Sequence, residues 1–152
     1  MVGKSPLVAE LLRSGATFYS DEFAVLDEHG RVHPYPRPLQ MRRQGEILQT
    51  RHPAEEFGAR IGTDPLPFAL VALTRYQEGA SWRPKQLSPG KAAFELLRHT
   101  TCARRFPQRA LELLRRVVET APIFQGTRGE VHEPAQWLFR QAEDVKFIAP
   151  IF

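Results

Sequence analysis

The sequence predicts a mixed α/β domain, and three observations carry that prediction. An apolar stripe at helical spacing opens the chain, short extended runs broken by turn residues follow, and two proline-opened amphipathic helices stand between later apolar runs. At 152 residues the chain fits one domain, read here as residues 1–152.

Each element has a local reason. Residues 5–14 place Leu7, Val8, Leu11 and Leu12 on one helical face, with Pro6 in the first turn and Gly15 as a left-handed stop. Residues 16–20 read as a short strand and 23–26 as a second extended run. Residues 31–33 return antiparallel around the turn Glu28-His29-Gly30. Pro34, Pro36 and Pro38 force an extended segment poor in ladder bonds, leading to an edge strand at 39–42. From 44 to 67 no period emerges. The run 68–74 is apolar throughout and reads as a buried strand. Ser88 and Pro89 open a helix to about His99 that buries Ala92, Ala93, Leu96 and Leu97. Pro107 opens another, with Ala110, Leu113, Leu114, Val117 and Val118 on its apolar face. A strand at 122–127, a helix at 133–142 and an extended apolar tail at 145–152 complete the reading.

Composition narrows the function classes. With 42% hydrophobic and 25% charged residues the chain can bury a core, which argues against disorder. Lys and Arg number 21 against 17 acids, a net charge of +4, and the basic residues are scattered in short pairs. That pattern predicts no nucleic-acid partner. The lone Cys102 excludes an internal disulfide and a multi-cysteine zinc site, and reads as a small buried hydrophobe in a reducing, cytoplasmic setting. No apolar run approaches the roughly 20 residues that span a bilayer, so no membrane partner is expected. The five histidines show no metal-ligand spacing, and His29 and His33 are expected to face solvent. Trp82 and Trp137 read as packing anchors.

Chemistry concentrates near the amino end. Gly3-Lys4-Ser5 matches the close of the pattern G-x-x-x-x-G-K-[ST], in which amide hydrogens cradle phosphates, the lysine places a point charge and the hydroxyl ligates magnesium. A helix must start directly after it, so that its positive end meets the phosphates, and one is predicted there. Asp21-Glu22 follows the next strand, where a carboxylate can return beside the phosphates. Beside a triphosphate such an acid implies a divalent metal between them. One acid can ligate the metal while the other accepts a hydroxyl proton. The plainer reading, a strand-end turn with two solvated acids, stands beside it.

Together these residues resemble a family. Gly3-Lys4-Ser5, Leu11-Leu12-Arg13-Ser14-Gly15 and Phe18-Tyr19-Ser20-Asp21-Glu22 look like the phosphate loop and acidic motif of HPr kinase/phosphorylase-like proteins. The hairpin and proline segment through Met41-Arg42 continue the likeness, which is specific over residues 3–43 and loose from Phe68 onward. The resemblance implies an α/β P-loop kinase domain of the HPr kinase/PEP carboxykinase-like type, lacking its first strand. It implies ATP and magnesium as cofactors and phosphate transfer to a serine of a protein or peptide. Gly3, Lys4 and Ser5 would contact nucleotide. Ser5 and Glu22 would hold the metal and Asp21 would handle the proton, with the two acids' roles open to exchange. Arg37 and Arg42 stand as phosphate or substrate contacts, against the plainer reading as solvated surface.

The sequence departs from the family in three ways. The leading loop glycine and its strand would lie upstream of Met1; Glu22 replaces a second aspartate; and no glycine-rich signature follows the proline segment. A missing central strand would leave unpaired backbone in the sheet. Either the natural protein is longer than this chain, or another segment fills the slot; the tail at 145–152 is expected to pair with such an edge in its own molecule or in a neighbour, the latter making a homo-oligomer. The alternative to a kinase is a non-catalytic remnant of the fold that serves as a binding or assembly module.

Overall fold

The computed structural model describes residues 4–41 and 48–148, with side chains through Asp144. The described residues form a mixed α/β arrangement of four helices and three small sheets. Helix α1, Lys4–Arg13, buries Leu7, Ala9 and Leu12. Gly15 ends it at φ 97°, a conformation that a β-carbon would strain, and the Ala16 amide donates back to the Leu11 carbonyl.

Strands β1, Val25–Leu26, and β2, Val32–His33, form the expected hairpin. Asp27 holds the turn. Its Oδ1 accepts from the His29 and Arg31 amides, and its Oδ2 from Arg31 Nε at 2.8 Å, with His33 Nε2 at 3.0 Å. Desolvation opposes its ionisation, but the hydrogen bonds from Arg31, His33 and His29 outweigh it and hold the carboxyl far below the usual range.

Strand β3, Leu39–Met41, pairs antiparallel with β4, Thr50–His52, and a 3-10 turn follows at Ala54–Phe57. Both later pieces lie in the stretch without periodicity; a three-residue strand is too short to show alternation. Phe18, expected within a strand at 16–20, makes only a single parallel bridge, to Ile61. The intervening chain is pinned by isolated bonds and never forms a ladder.

The remaining elements are β5, Val71–Tyr76; β6, Lys85–Gln86; α2, Pro89–Arg98; α3, Pro107–Thr120; β7, Ile123–Arg128; and α4, His132–Ile148. β7 is the central strand, parallel to β5 and antiparallel to β6, and α2 with α3 makes the crossover that parallel pairing requires. β5 starts three residues later than expected and none of its residues is fully buried. Its one partner is β7 among the described residues, so an edge stays open and its side chains are only half covered. The helical faces named from the sequence do turn inward, with Ala92, Ala110, Leu114 and Val117 buried.

Two further expectations change. The helix continues through residues 145–148, read from sequence as extended, because nothing breaks it before Pro150; residues 149–152 lie outside the described set. Cys102 is exposed, in the turn between α2 and α3, and is no core residue. No helix among the described residues is long and apolar enough to cross a membrane.

Two cores result. One joins Ala9 and Leu12 of α1 to Phe18, Leu39, Ala54 and Ala59. The other packs Ala92, Val117 and Ile123 between the crossover helices and the sheet. Trp82 is buried and meets Trp137 edge-on at 5.7 Å, as packing anchors do.

Two predictions follow from this packing. Leu39→Ala, at a fully buried side chain in the first core, should lower the unfolding free energy by about 3 kcal/mol in urea titration. Asp27→Asn should lower the melting temperature at pH 7. Because the folded carboxyl is depressed, its contribution is complete above the unfolded value near 4 and fades as pH falls toward the folded one. The difference between wild type and variant should therefore shrink from pH 4 to pH 2 in thermal melts.

Candidate functional site

The first turn of α1 carries Lys4 and Ser5 and leaves amide hydrogens without partners inside the helix, a partial positive charge at this end. The acidic segment comes to that end because its approach is fixed on both sides. The Phe18 amide donates to the Arg60 carbonyl, Gly62 donates to Phe18, and Tyr35 donates to Tyr19. Asp21 then meets the helix start. Ser5 Oγ donates to Asp21 Oδ2 at 2.7 Å, and Lys4 Nζ lies 3.8 Å from Oδ1. The Asp21 side chain is only 8% exposed, yet Oδ1 has no hydrogen-bond partner. A buried carboxylate oxygen left in this state is costly to the fold, and a ligand or ion can satisfy it.

Around this contact opens a cavity of about 520 Å³. Tyr76 and Arg128, which line it, are the last residues of β5 and β7. The cavity therefore lies beyond the carboxyl ends of the parallel pair and at a helix amino terminus, the usual ligand position in open α/β sheets. Glu22 and Arg37 also line it, 3.2 Å apart. Arg128 is 2% exposed; its Nη1 donates to the Gly129 carbonyl at 3.0 Å, and its guanidinium sits 5.7 Å from the Tyr76 ring. Desolvation pulls its pKa below the ordinary value, against the electrostatic influence of Tyr76 and Glu130, and an arginine so placed remains cationic.

The structure thus brings Lys4, Ser5 and Asp21 into contact and places Glu22 and Arg37 on the same cavity. Gly3 and Arg42 lie outside the described residues. Arg37 is half exposed but paired, which joins the two readings given for it: a surface residue at the rim of the site. Arg128 and Tyr76 escaped the sequence reading. A signal existed, since Arg128 is the single charge in the strand Ile123–Arg128 and stands at its carboxyl end, before Gly129.

Among the described residues no group of three or more His, Cys, Asp or Glu side chains is placed to hold a metal. The hard-oxygen donors nearest one another are Ser5 and Asp21. They suit magnesium, which commonly takes one or two protein oxygens and completes its shell with water and phosphate. The open Asp21 Oδ1 fits that requirement.

Comparison of the chain with family models, curated proteins and solved structures finds no match.

The Lys4–Asp21 pair is half exposed on the lysine side, so the fold should not depend on it. Asp21→Asn keeps an acceptor for Ser5 and should change the unfolding free energy by less than about 1 kcal/mol in urea titration. A loss near 3 kcal/mol would instead mark Asp21 as a structural anchor.

Proposed function

We propose that this domain binds ATP with magnesium and transfers phosphate to a serine hydroxyl of a protein or peptide. The observation that carries the reading is the Ser5–Asp21 contact at the positive end of α1, with Lys4 alongside and one buried Asp21 oxygen open. The order of the elements supports the finer fold reading, a P-loop kinase of the HPr kinase/PEP carboxykinase-like type. A helix starts at Lys4, acids return to its first turn, and parallel strands end at the same cavity.

In this reading the phosphates occupy the cavity against Lys4 and the first-turn amides of α1, with Arg128 and Arg37 supplying further positive charge. Ser5 and Asp21 would hold magnesium, which when bound would supply positive charge between the carboxylates and the phosphates. The geometry favours the exchanged roles for the acids: Asp21 touches Ser5, whereas Glu22 stands apart with Arg37. Glu22 then accepts the proton of the serine hydroxyl as its oxygen bonds to the γ-phosphorus and the bond to the ADP oxygen breaks. That role requires Arg37 to turn from Glu22 toward the nucleotide.

A second reading has its own support. Lys4 already pairs with Asp21 and Arg37 with Glu22, so these charges satisfy one another without a ligand. A non-catalytic remnant that serves as a binding or assembly module would retain this arrangement.

Thermal melts separate the two. Under the kinase reading, magnesium and ATP at about a hundred times the dissociation constant should stabilise the fold by about 2.7 kcal/mol. For a chain of this size that is a rise of about 8 °C. Lys4→Ala should abolish the rise, and Ser5→Ala should remove its dependence on magnesium. No shift at millimolar nucleotide, with or without magnesium, would establish the remnant. Transfer of labelled phosphate from ATP to serine peptides, lost in Glu22→Gln, tests the chemistry itself.

A further inference from the structure

The excess positive charge of the chain sits in one place. Residues 98–109, which end α2, turn and open α3, hold four arginines and no acid, a charge of +4. The whole chain also carries +4, so everything outside this corner is neutral in sum. The four arginines differ in their surroundings. Arg98 meets Glu95 at 3.4 Å, and Arg109 lines a cavity that also holds Asp27, Glu28 and Glu112. Arg104 and Arg105 are exposed and form no ion pair among the described residues. The Arg105 guanidinium lies 5.3 Å from the centre of the exposed Phe106 ring, which restricts it in advance and lowers the ordering cost of binding. The corner also adjoins the candidate site. His99, the residue that closes α2, lines a groove of about 770 Å³ whose wall carries Lys4, Asp21 and Glu22. A chain lying in that groove reaches from the acids of the candidate site to the α2 end of the arginine corner.

We infer that the corner around Arg104 and Arg105 docks the acidic flank of the protein or peptide that offers its serine to the site. Charge complementarity and continuity with the site select that occupant. The unpaired cations are both arginine, whose planar fork takes a carboxylate through two parallel hydrogen bonds. Other polyanions fit less well. Nucleic acid calls for a track of phosphate contacts and open aromatic faces for stacking, whereas these cations occupy a single turn and Arg105 lies over Phe106. A lipid surface calls for a broad apolar helix face turned outward, whereas α2 and α3 turn theirs to the core. That the docked molecule is the serine-bearing substrate rests on the phosphotransfer reading; the docking itself is measured apart from it.

Fluorescence anisotropy without nucleotide tests the docking. The labelled probe Glu-Asp-Glu-Gly-Ser-Gly-Glu-Asp-Glu should bind, and the same peptide with Gln and Asn in place of its acids should bind at least about tenfold more weakly. Arg104→Glu combined with Arg105→Glu should weaken the acidic probe by at least about tenfold. Both side chains are exposed, so the melting temperature should stay near wild type. Arg83→Glu combined with Lys85→Glu changes the net charge equally at another exposed place and should leave binding near wild type. In phosphate transfer the Arg104/Arg105 double variant should raise KM for the acidic peptide with kcat little changed. Equal binding of the two peptides, or equal loss in the two double variants, overturns the inference. Tighter binding of an oligothymidylate or of phosphatidylserine vesicles than of the acidic probe also overturns it. Melts with magnesium and ATP keep this inference apart from the reading it rests on. Peptide binding without nucleotide stabilisation would remove the kinase and leave the docking surface; nucleotide stabilisation without peptide binding would remove the docking surface alone.

Discussion

The arrangement around the candidate site depends on one constraint: a nearly buried carboxylate, Asp21, held against the first turn of α1. Placing such a group there requires a donor at once, and Ser5 supplies it at 2.7 Å. The helix end adds its partial positive charge, which favours an anion at that position. The approach of the acidic segment is fixed by backbone bonds to Arg60, Gly62 and Tyr35, so Asp21 is positioned by the scaffold and not by its own ion pair. The long Lys4–Asp21 separation accords with this, since 3.8 Å between a half-exposed ammonium and a carboxylate gives little anchoring.

The two cores explain where the cleft falls. One gathers α1, Phe18 and the short β3–β4 ladder, and the other gathers the crossover helices against the sheet. α4 lies beside α1, with His132 Nδ1 3.3 Å from Glu10 Oε1, while Glu133 accepts the Trp82 amide at 2.9 Å. Gly126 permits close packing at this junction: a β-carbon there would lie 2.8 Å from the Trp82 ring. Side chains from both halves meet at the carboxyl ends of β5 and β7. A cleft at such a boundary can be lined by charges because neither core must enclose it.

Legibility in the sequence followed element length and local signals. The helices that open at Pro89 and Pro107 were readable because proline marks the first turn and ten or more residues give the apolar stripe room to repeat. The β1–β2 hairpin was readable from its turn residues, and Gly30 indeed adopts φ 79°. The β3–β4 pairing was half visible, since the prolines before Leu39 mark an extended segment but its partner lies in an aperiodic stretch where three residues carry no pattern. Of the site, Lys4, Ser5 and Asp21 were found by motif spacing and do converge. Arg128 was missed because its local signal, a lone charge at a strand end, marks no cavity until β5 and β7 pair in parallel across 52 positions, as in the register Tyr76↔Arg128. The Arg37–Glu22 pair was missed for the same reason on a shorter scale, 15 positions across the hairpin.

Charge balance in the cleft limits what it can accept. Lys4, Arg37 and Arg128 face Asp21, Glu22 and Glu130, so the lining is neutral as a set but divided in space. Asp21 lies at the helix end and Glu22 at the rim with Arg37. A polyanion entering alone would meet three carboxylates as well as three cations. On the proposed reading, the carboxylates would hold a divalent cation that enters with the polyanion, which would leave lysine and arginine for the phosphates. The rim pair, roughly half exposed on both sides, is worth at most about 1 kcal/mol, so releasing Arg37 is a small cost against even one charge-assisted bond to phosphate. On the proposed reading, that neutral lining would favour metal-bound phosphate over either component by itself.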